Sequence, residues 1–322
     1  MRLFIAFLFA IPCYAQQFSV KEIASWKKQA DNVTIIRDTW GVPHIFGKTD
    51  PDAVFGMIYA QCEDDFPRVE RNYLIATARL AEAEGEQFIF NDLRQRLFLD
   101  TTKAITIYKQ APDWLKKLCN AFADGANYYL STHPDAKPKL ITRFQPWMPF
   151  LFSEGSIGGD IEKVSLKELK EFYGNSSRIA SEKPKGDGLD SYWDEDPEPQ
   201  GSNGIAIAPL ITTSGNALLL INPHTSFYFR TETHMVSEEG LNAYGAATWG
   251  QFFIYQGFNE HCGWMHTSSQ ADVIDEYNET VIKNRDSYFY QYANEQRRVQ
   301  FEKISIAYKD GNSISKKRIY GI

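Results

Sequence analysis

The residues best placed to do chemistry centre on Ser202, which follows Gly201 and precedes Asn203 and Gly204. Upstream, from Ser181 to Gly201, the chain is rich in Pro, Gly and acidic residues and almost empty of aliphatic ones. Downstream, Gly204 to Ala208 is apolar throughout, the pattern of a strand covered on both faces. A hydroxyl residue at such a junction becomes a new N-terminus if the chain is cut before it. Its own α-amine then lies within reach of its Oγ, so one residue supplies nucleophile and base together. No separate His–Asp relay is required, and the lack of a Gly-x-Ser-x-Gly pattern does not count against this chemistry. The cut needs the Ser202 hydroxyl to attack the carbonyl just before it, in a backbone geometry that glycine at 201 adopts at little steric cost. A Gly-Ser pair ahead of a strand is also an ordinary turn, and the junction alone does not choose between these readings.

Other polar residues stand nearby. Asn203 reads as a turn residue or as a hydrogen-bonding neighbour of a new amine. His224 lies 22 positions after Ser202, at the end of the following strand, where a histidine can simply close the strand. Asp272 and Asp275 flank the carbonyl of Ile274, a set of oxygens suited to a hard cation such as calcium or else a solvated acidic turn. The spacing of His261, Cys262 and His266 is poor for tetrahedral zinc.

Motifs along the chain widen the reading. Ile36 to Ile45 reads IRDTWGVPHI, and Gly56 to Asp65 reads GMIYAQCEDD. Then come Gly201-Ser202-Asn203, Asn222-Pro223-His224, and Gly257-Phe258-Asn259 leading to Gly263-Trp264-Met265-His266-Thr267. In this order they resemble the penicillin amidase group of N-terminal-nucleophile hydrolases, from about Val33 to the last residue. The resemblance implies an αββα sandwich in which Ser202 opens a central strand. It implies that Ser202 cleaves its own precursor and then forms an acyl-enzyme with an amide substrate, an N-acyl compound such as a penicillin, cephalosporin or acyl-homoserine lactone. His224 then helps orient the new amine, and the backbone N–H of Ser268 is one donor to the oxyanion, the second being an Asn side chain beyond Ile322. Calcium is implied at Asp272, the Ile274 carbonyl, Asp275 and a remote Glu162, with no organic cofactor. One departure bears on specificity: Thr225 occupies a position that is aromatic in many acylases.

The elements that must position these residues divide at Ser202. Gln17 to Lys28 is a short amphipathic lead-in, and Val33 to Phe46 is a β-rich turn. Asp50, followed by Pro51, opens a helical region running to about Leu130, and Leu166 to Phe172 is one more short helix. Three hairpins are expected after Ser202. Their strands are Ile205–Ala208 with Ala217–Ile221, Gln251–Gln256 with Gly263–Thr267, and Arg298–Tyr308 with Ser313–Tyr320. A helical first part and a strand-rich second part give the α+β class. The expected organisation is a signal peptide over 1–15, a helical part over 16–180, a spacer over 181–201 and the start of the nucleophile-bearing part over 202–322.

Composition sets the outer bounds. The 322 residues include 43% hydrophobic and 14% aromatic residues, enough for a sizeable core. A net charge of −7 argues against nucleic acid or an anionic membrane as the main partner. Met1-Arg2 and the short apolar run after it have the form of a secretory signal ending at Ala15, too short to span a bilayer, which points to the bacterial periplasm. Cys62, Cys119 and Cys262 then remain, an odd number that reads as buried thiols. Ile322 falls inside what reads as a strand, so the sequence is expected to be the N-terminal fragment of a precursor that matures into an α- and β-chain heterodimer. The alternatives are a non-catalytic fragment and a calcium-binding secreted module.

Overall fold

Capping residues set the first helices. The Ser19 hydroxyl accepts from the Glu22 N–H while the Glu22 carboxylate accepts from the Ser19 N–H at 2.8 Å, the reciprocal arrangement that starts α1 (Val20–Ala30). Thr49 and Asp52 do the same for α2 (Asp50–Ala76), with Pro51 in its first turn. These contacts come from a computed structural model, which describes residues 18–98, 100–152, 164–173, 201–225, 228–267, 279–285, 287–311 and 313–321. The further helices are α3 (Leu80–Glu84), α4 (Ile89–Phe98), α5 (Thr101–Gln110), α6 (Asp113–Thr132) and α7 (Leu166–Tyr173). Within α2, Pro67 cannot donate to the carbonyl four residues back and crowds it. The helix therefore breaks at Asp65 (φ −156°, ψ 69°), whose carboxylate caps the second half by accepting from the Arg68 N–H at 3.1 Å.

The strands are β1 (Val33–Arg37), β2 (Pro43–Gly47), β3 (Ser202–Ile207), β4 (Leu218–Pro223), β5 (Arg230–Ser237), β6 (Asn242–Thr248), β7 (Gln256–Phe258), β8 (Gly263–Trp264), β9 (Val281–Asn284), β10 (Ser287–Tyr292), β11 (Glu295–Arg298), β12 (Lys303–Asp310) and β13 (Ser313–Gly321). Six of them form one sheet in the order β1-β2-β5-β6-β7-β8. In it β2 and β5 run parallel, with His44 opposite His234, and the other neighbours are antiparallel. The core lies between this sheet and the pair α2 and α6. Tyr73, Phe122 and Phe144 are buried there with ring centroids 5.2–6.1 Å apart. Burying each contributes roughly 1.5–3 kcal/mol. Within this packing α2 presses closely onto β1 and β2. A Cβ on Gly56 would lie 2.6 Å from Val33 Cγ1 and 2.7 Å from Ile45 Cγ2, so only a residue without a side chain allows the approach.

Polar side chains of α2 also hold the loop after β6. Gln61 Nε2 donates to the Gln251 carbonyl at 2.8 Å, and Gln61 Oε1 accepts from the Gly250 N–H at 2.7 Å. Asn72 Nδ2 donates to the Trp249 carbonyl and the Tyr73 hydroxyl to the Gly250 carbonyl, both at 2.8 Å. The part before Ser202 thus fixes the backbone of the part after it.

The architecture is mixed α and β, as read from sequence, with several corrections. Among the described residues the strands form separate sheets of six, three, two and two strands, and no closed αββα sandwich is seen. Among the described residues β3 pairs only with β4, at the edge of a two-stranded sheet and not in the centre of a larger one. Nor is it covered on both faces: Ile205 is 53% exposed and Leu220 of β4 52%. Apolar sequence marks surface that another layer can cover, and burial requires that layer to be in place. The segment Gln251–Tyr255 is not a strand, because α2 holds its start in an irregular path. The turn accordingly moves to Asn259–Cys262, where Asn259 Oδ1 accepts from the N–H groups of His261 and Cys262. The stretch Arg298–Tyr308 divides between β11 and β12. Cys62 and Cys119 are buried but Cys262, in that turn, is exposed. The expected signal peptide lies outside the described residues.

Candidate active site

Ser202 begins β3, and the antiparallel register with β4 sets Ser202 opposite Pro223 and Asn203 opposite Asn222. Gly201 has φ +105°, a left-handed backbone in which a side chain is strained. The Ser202 hydroxyl donates to the Gly201 oxygen at 2.6 Å. The Ser202 hydroxyl is therefore held beside the peptide group that joins it to Gly201. The same Oγ accepts from the His224 backbone N–H at 3.4 Å, a long contact from the residue just after β4.

The His224 ring is engaged by Asn203. Its Nε2 lies 3.0 Å from Asn203 Nδ2, an amide that can only donate, so Nε2 is the acceptor. In the neutral ring the hydrogen then sits on Nδ1, which lies 3.9 Å from where a Cβ on Gly201 would be. Ser202 and His224 are half-buried. Gly201, Ser202, Asn203 and His224 thus come together at one end of the β3–β4 hairpin.

A further residue joins them that sequence reading gave no role. The Thr267 hydroxyl donates to the Ser202 carbonyl at 3.1 Å from the run that follows β8. Its signal in the sequence is its place in the Trp264-Met265-His266-Thr267 motif. Ser268, Asp272, Ile274, Asp275 and Glu162 lie outside the described residues, and so do Phe227 and the spacer through Gln200. Phe252 is core, packed 6.0 Å from Phe122, while Phe253 is exposed. Trp249 donates its indole N–H to the Tyr228 carbonyl at 3.0 Å.

Residues 32–320 match the penicillin amidase family across most of the chain. The chain belongs to the penicillin amidase family. Acyl-homoserine lactone acylase QuiP of Pseudomonas fluorescens strain Pf-5 is 23% identical over 309 residues, covering 82% of this chain and 37% of that protein. Acyl-homoserine lactone acylase PvdQ of the same strain is 27% identical over 261 residues, 72% of this chain and 32% of that protein. This penicillin amidase family chain therefore spans less than two-fifths of the length of the curated relatives it matches. Among solved structures, a thermostable penicillin G acylase from Alcaligenes faecalis aligns at 16% identity with a TM-score of 0.34, over 47% of this chain and 97% of that one.

Proposed function

We propose that the chain carries the nucleophile-bearing start of a self-processing hydrolase that cleaves the amide bond of N-acyl compounds. The observation that supports it most is the Ser202 hydroxyl lying 2.6 Å from the Gly201 oxygen, beside a glycine in a left-handed backbone. In the first reaction Ser202 Oγ attacks the Gly201 carbonyl carbon and its proton goes to the Ser202 amide nitrogen. The C–N bond breaks, leaving Gly201 as an ester on Oγ and freeing the Ser202 amine. Water hydrolyses that ester to a Gly201 carboxylate. In the second reaction the freed amine accepts the Oγ proton as Oγ attacks the substrate amide. The leaving amine departs with that proton, and water then releases the acid. His224 and Asn203 orient the new amine, and the Ser268 N–H donates to the oxyanion.

The substrate class rests on the motif set and on the acyl-homoserine lactone acylases among the relatives. It is an N-acyl homoserine lactone or the side-chain amide of a penicillin or cephalosporin, acted on by a secreted heterodimer of the two cut chains. Calcium at Asp272, the Ile274 carbonyl, Asp275 and Glu162 belongs to the same proposal and rests on sequence resemblance. An unfolding midpoint that rises with added calcium in wild type but not in Asp275→Asn would support it.

The decisive test is N-terminal sequencing of the purified full-length gene product. A fragment beginning Ser-Asn-Gly-Ile is expected, with Ser202→Ala remaining uncut and releasing no acid from N-acyl homoserine lactones or penicillin G. Folded wild-type protein that stays intact overturns the reading.

A further inference from the structure

Once the peptide bond before Ser202 is gone, the residue loses its tether on the N-terminal side. Where Oγ points then depends on what holds the rest of the residue, above all its carbonyl group. The β-ladder is a poor source of a donor here, because the residue opposite is Pro223, which has no N–H. The Ser202 carbonyl instead accepts from Thr267 Oγ1 at 3.1 Å.

Thr267 is itself held from the interior. Gln256, 3% exposed, donates through Nε2 to the carbonyl of His266 at 3.1 Å. The His266 ring packs on Tyr255 with centroids 4.6 Å apart. Met265 lies directly on β3: a Cβ at Gly204 would fall 2.1 Å from its Sδ. The run Met265-His266-Thr267 therefore lies alongside the first residues of β3 and delivers a hydroxyl to the Ser202 carbonyl, opposite a proline that has no N–H to give. A β-branched threonine has few χ1 choices, so its hydroxyl is directed rather than wandering.

We propose that Thr267 is a positioning residue for the nucleophile: its hydroxyl fixes the Ser202 carbonyl and thereby the direction of Oγ before and after the chain is cut. This rests on the reading of Ser202 as nucleophile given above. The test compares wild type, Thr267→Val and Thr267→Ser in the full-length gene product. It measures the rate of cleavage before Ser202 and the second-order rate of Ser202 labelling by phenylmethylsulfonyl fluoride, followed by mass spectrometry. Thr267→Val is expected to slow both rates tenfold or more with an unfolding midpoint within a few degrees of wild type, and Thr267→Ser to recover most of the loss. Wild-type rates in Thr267→Val overturn the proposal while leaving Ser202 as nucleophile intact. Equal rate loss in both variants, tracking a fall in unfolding midpoint, overturns it in favour of a purely structural role. Wild type that is neither cut nor labelled overturns the nucleophile reading itself, and the proposal with it.

Discussion

His44 and His234 meet nitrogen to nitrogen, Nδ1 to Nδ1 at 3.0 Å, across the parallel pairing of β2 and β5. The surroundings decide which ring donates. Asn242 Nδ2 donates to Glu260, which turns Asn242 Oδ1 toward His234 Nε2 at 2.9 Å. His234 therefore carries its hydrogen on Nε2 and accepts at Nδ1, so His44 is the donor. The outer nitrogen of His44 lies 3.7 Å from Asp38. Replacing His234 by Phe removes the acceptor and strands that N–H, at a cost of about 1–2 kcal/mol. The double variant His44→Phe with His234→Phe is expected to lose less than the sum of the singles. Urea unfolding of the four proteins measures this.

Gly201 is tested by Gly201→Ala. A side chain at φ +105° costs about 1–3 kcal/mol, so the carbonyl leaves the position beside the Ser202 hydroxyl. Cleavage before Ser202 is expected to slow by tenfold or more, read as the decay of intact precursor on a gel, while the unfolding midpoint changes little.

Gln61 serves two backbone groups of the loop after β6 with one side chain. Gln61→Met fills the same space but leaves the Gly250 N–H and the Gln251 carbonyl without their partner. A loss of about 2–4 kcal/mol in chemical denaturation is expected, together with faster hydrogen exchange at residues 249–251.

Asp92 gives stability a pH dependence. Burial pushes its carboxyl up to about 7, against the pull of the Leu80 and Ala81 N–H groups it accepts from at 3.0 and 2.8 Å. A folded-state value above the unfolded one means that the folded protein binds the proton more tightly. The contribution is full below the ordinary aspartate range, near pH 4, and is lost as pH rises through about 7. The difference is at most about 4 kcal/mol. Asp92→Asn is expected to flatten the unfolding midpoint between pH 4 and pH 8, and an unchanged slope would show that another group carries it.

The long helices were legible in the sequence because their buried positions recur at helical spacing and their starts carry capping residues. The β5–β6 hairpin was not. The buried face of β5 is Thr231, Thr233, Met235 and Ser237, and three hydroxyl residues among four hide the alternation from any hydrophobic pattern. Its partner β6 is built largely from Gly and Ala, which carry little signal of either period. In the site, Ser202, Asn203 and His224 could be read because two short motifs at the ends of one hairpin hold all three. Thr267 could not be given a role, since its contact spans 65 residues and depends on a proline failing to supply a hydrogen.

The parallel neighbours β2 and β5 come from opposite sides of Ser202, and so do Gln61 and the loop it grips. A nick ahead of Ser202 would consequently liberate an amine without liberating a polypeptide. The severed pieces would co-elute on a sizing column, share a single melting transition, and come apart only in denaturant.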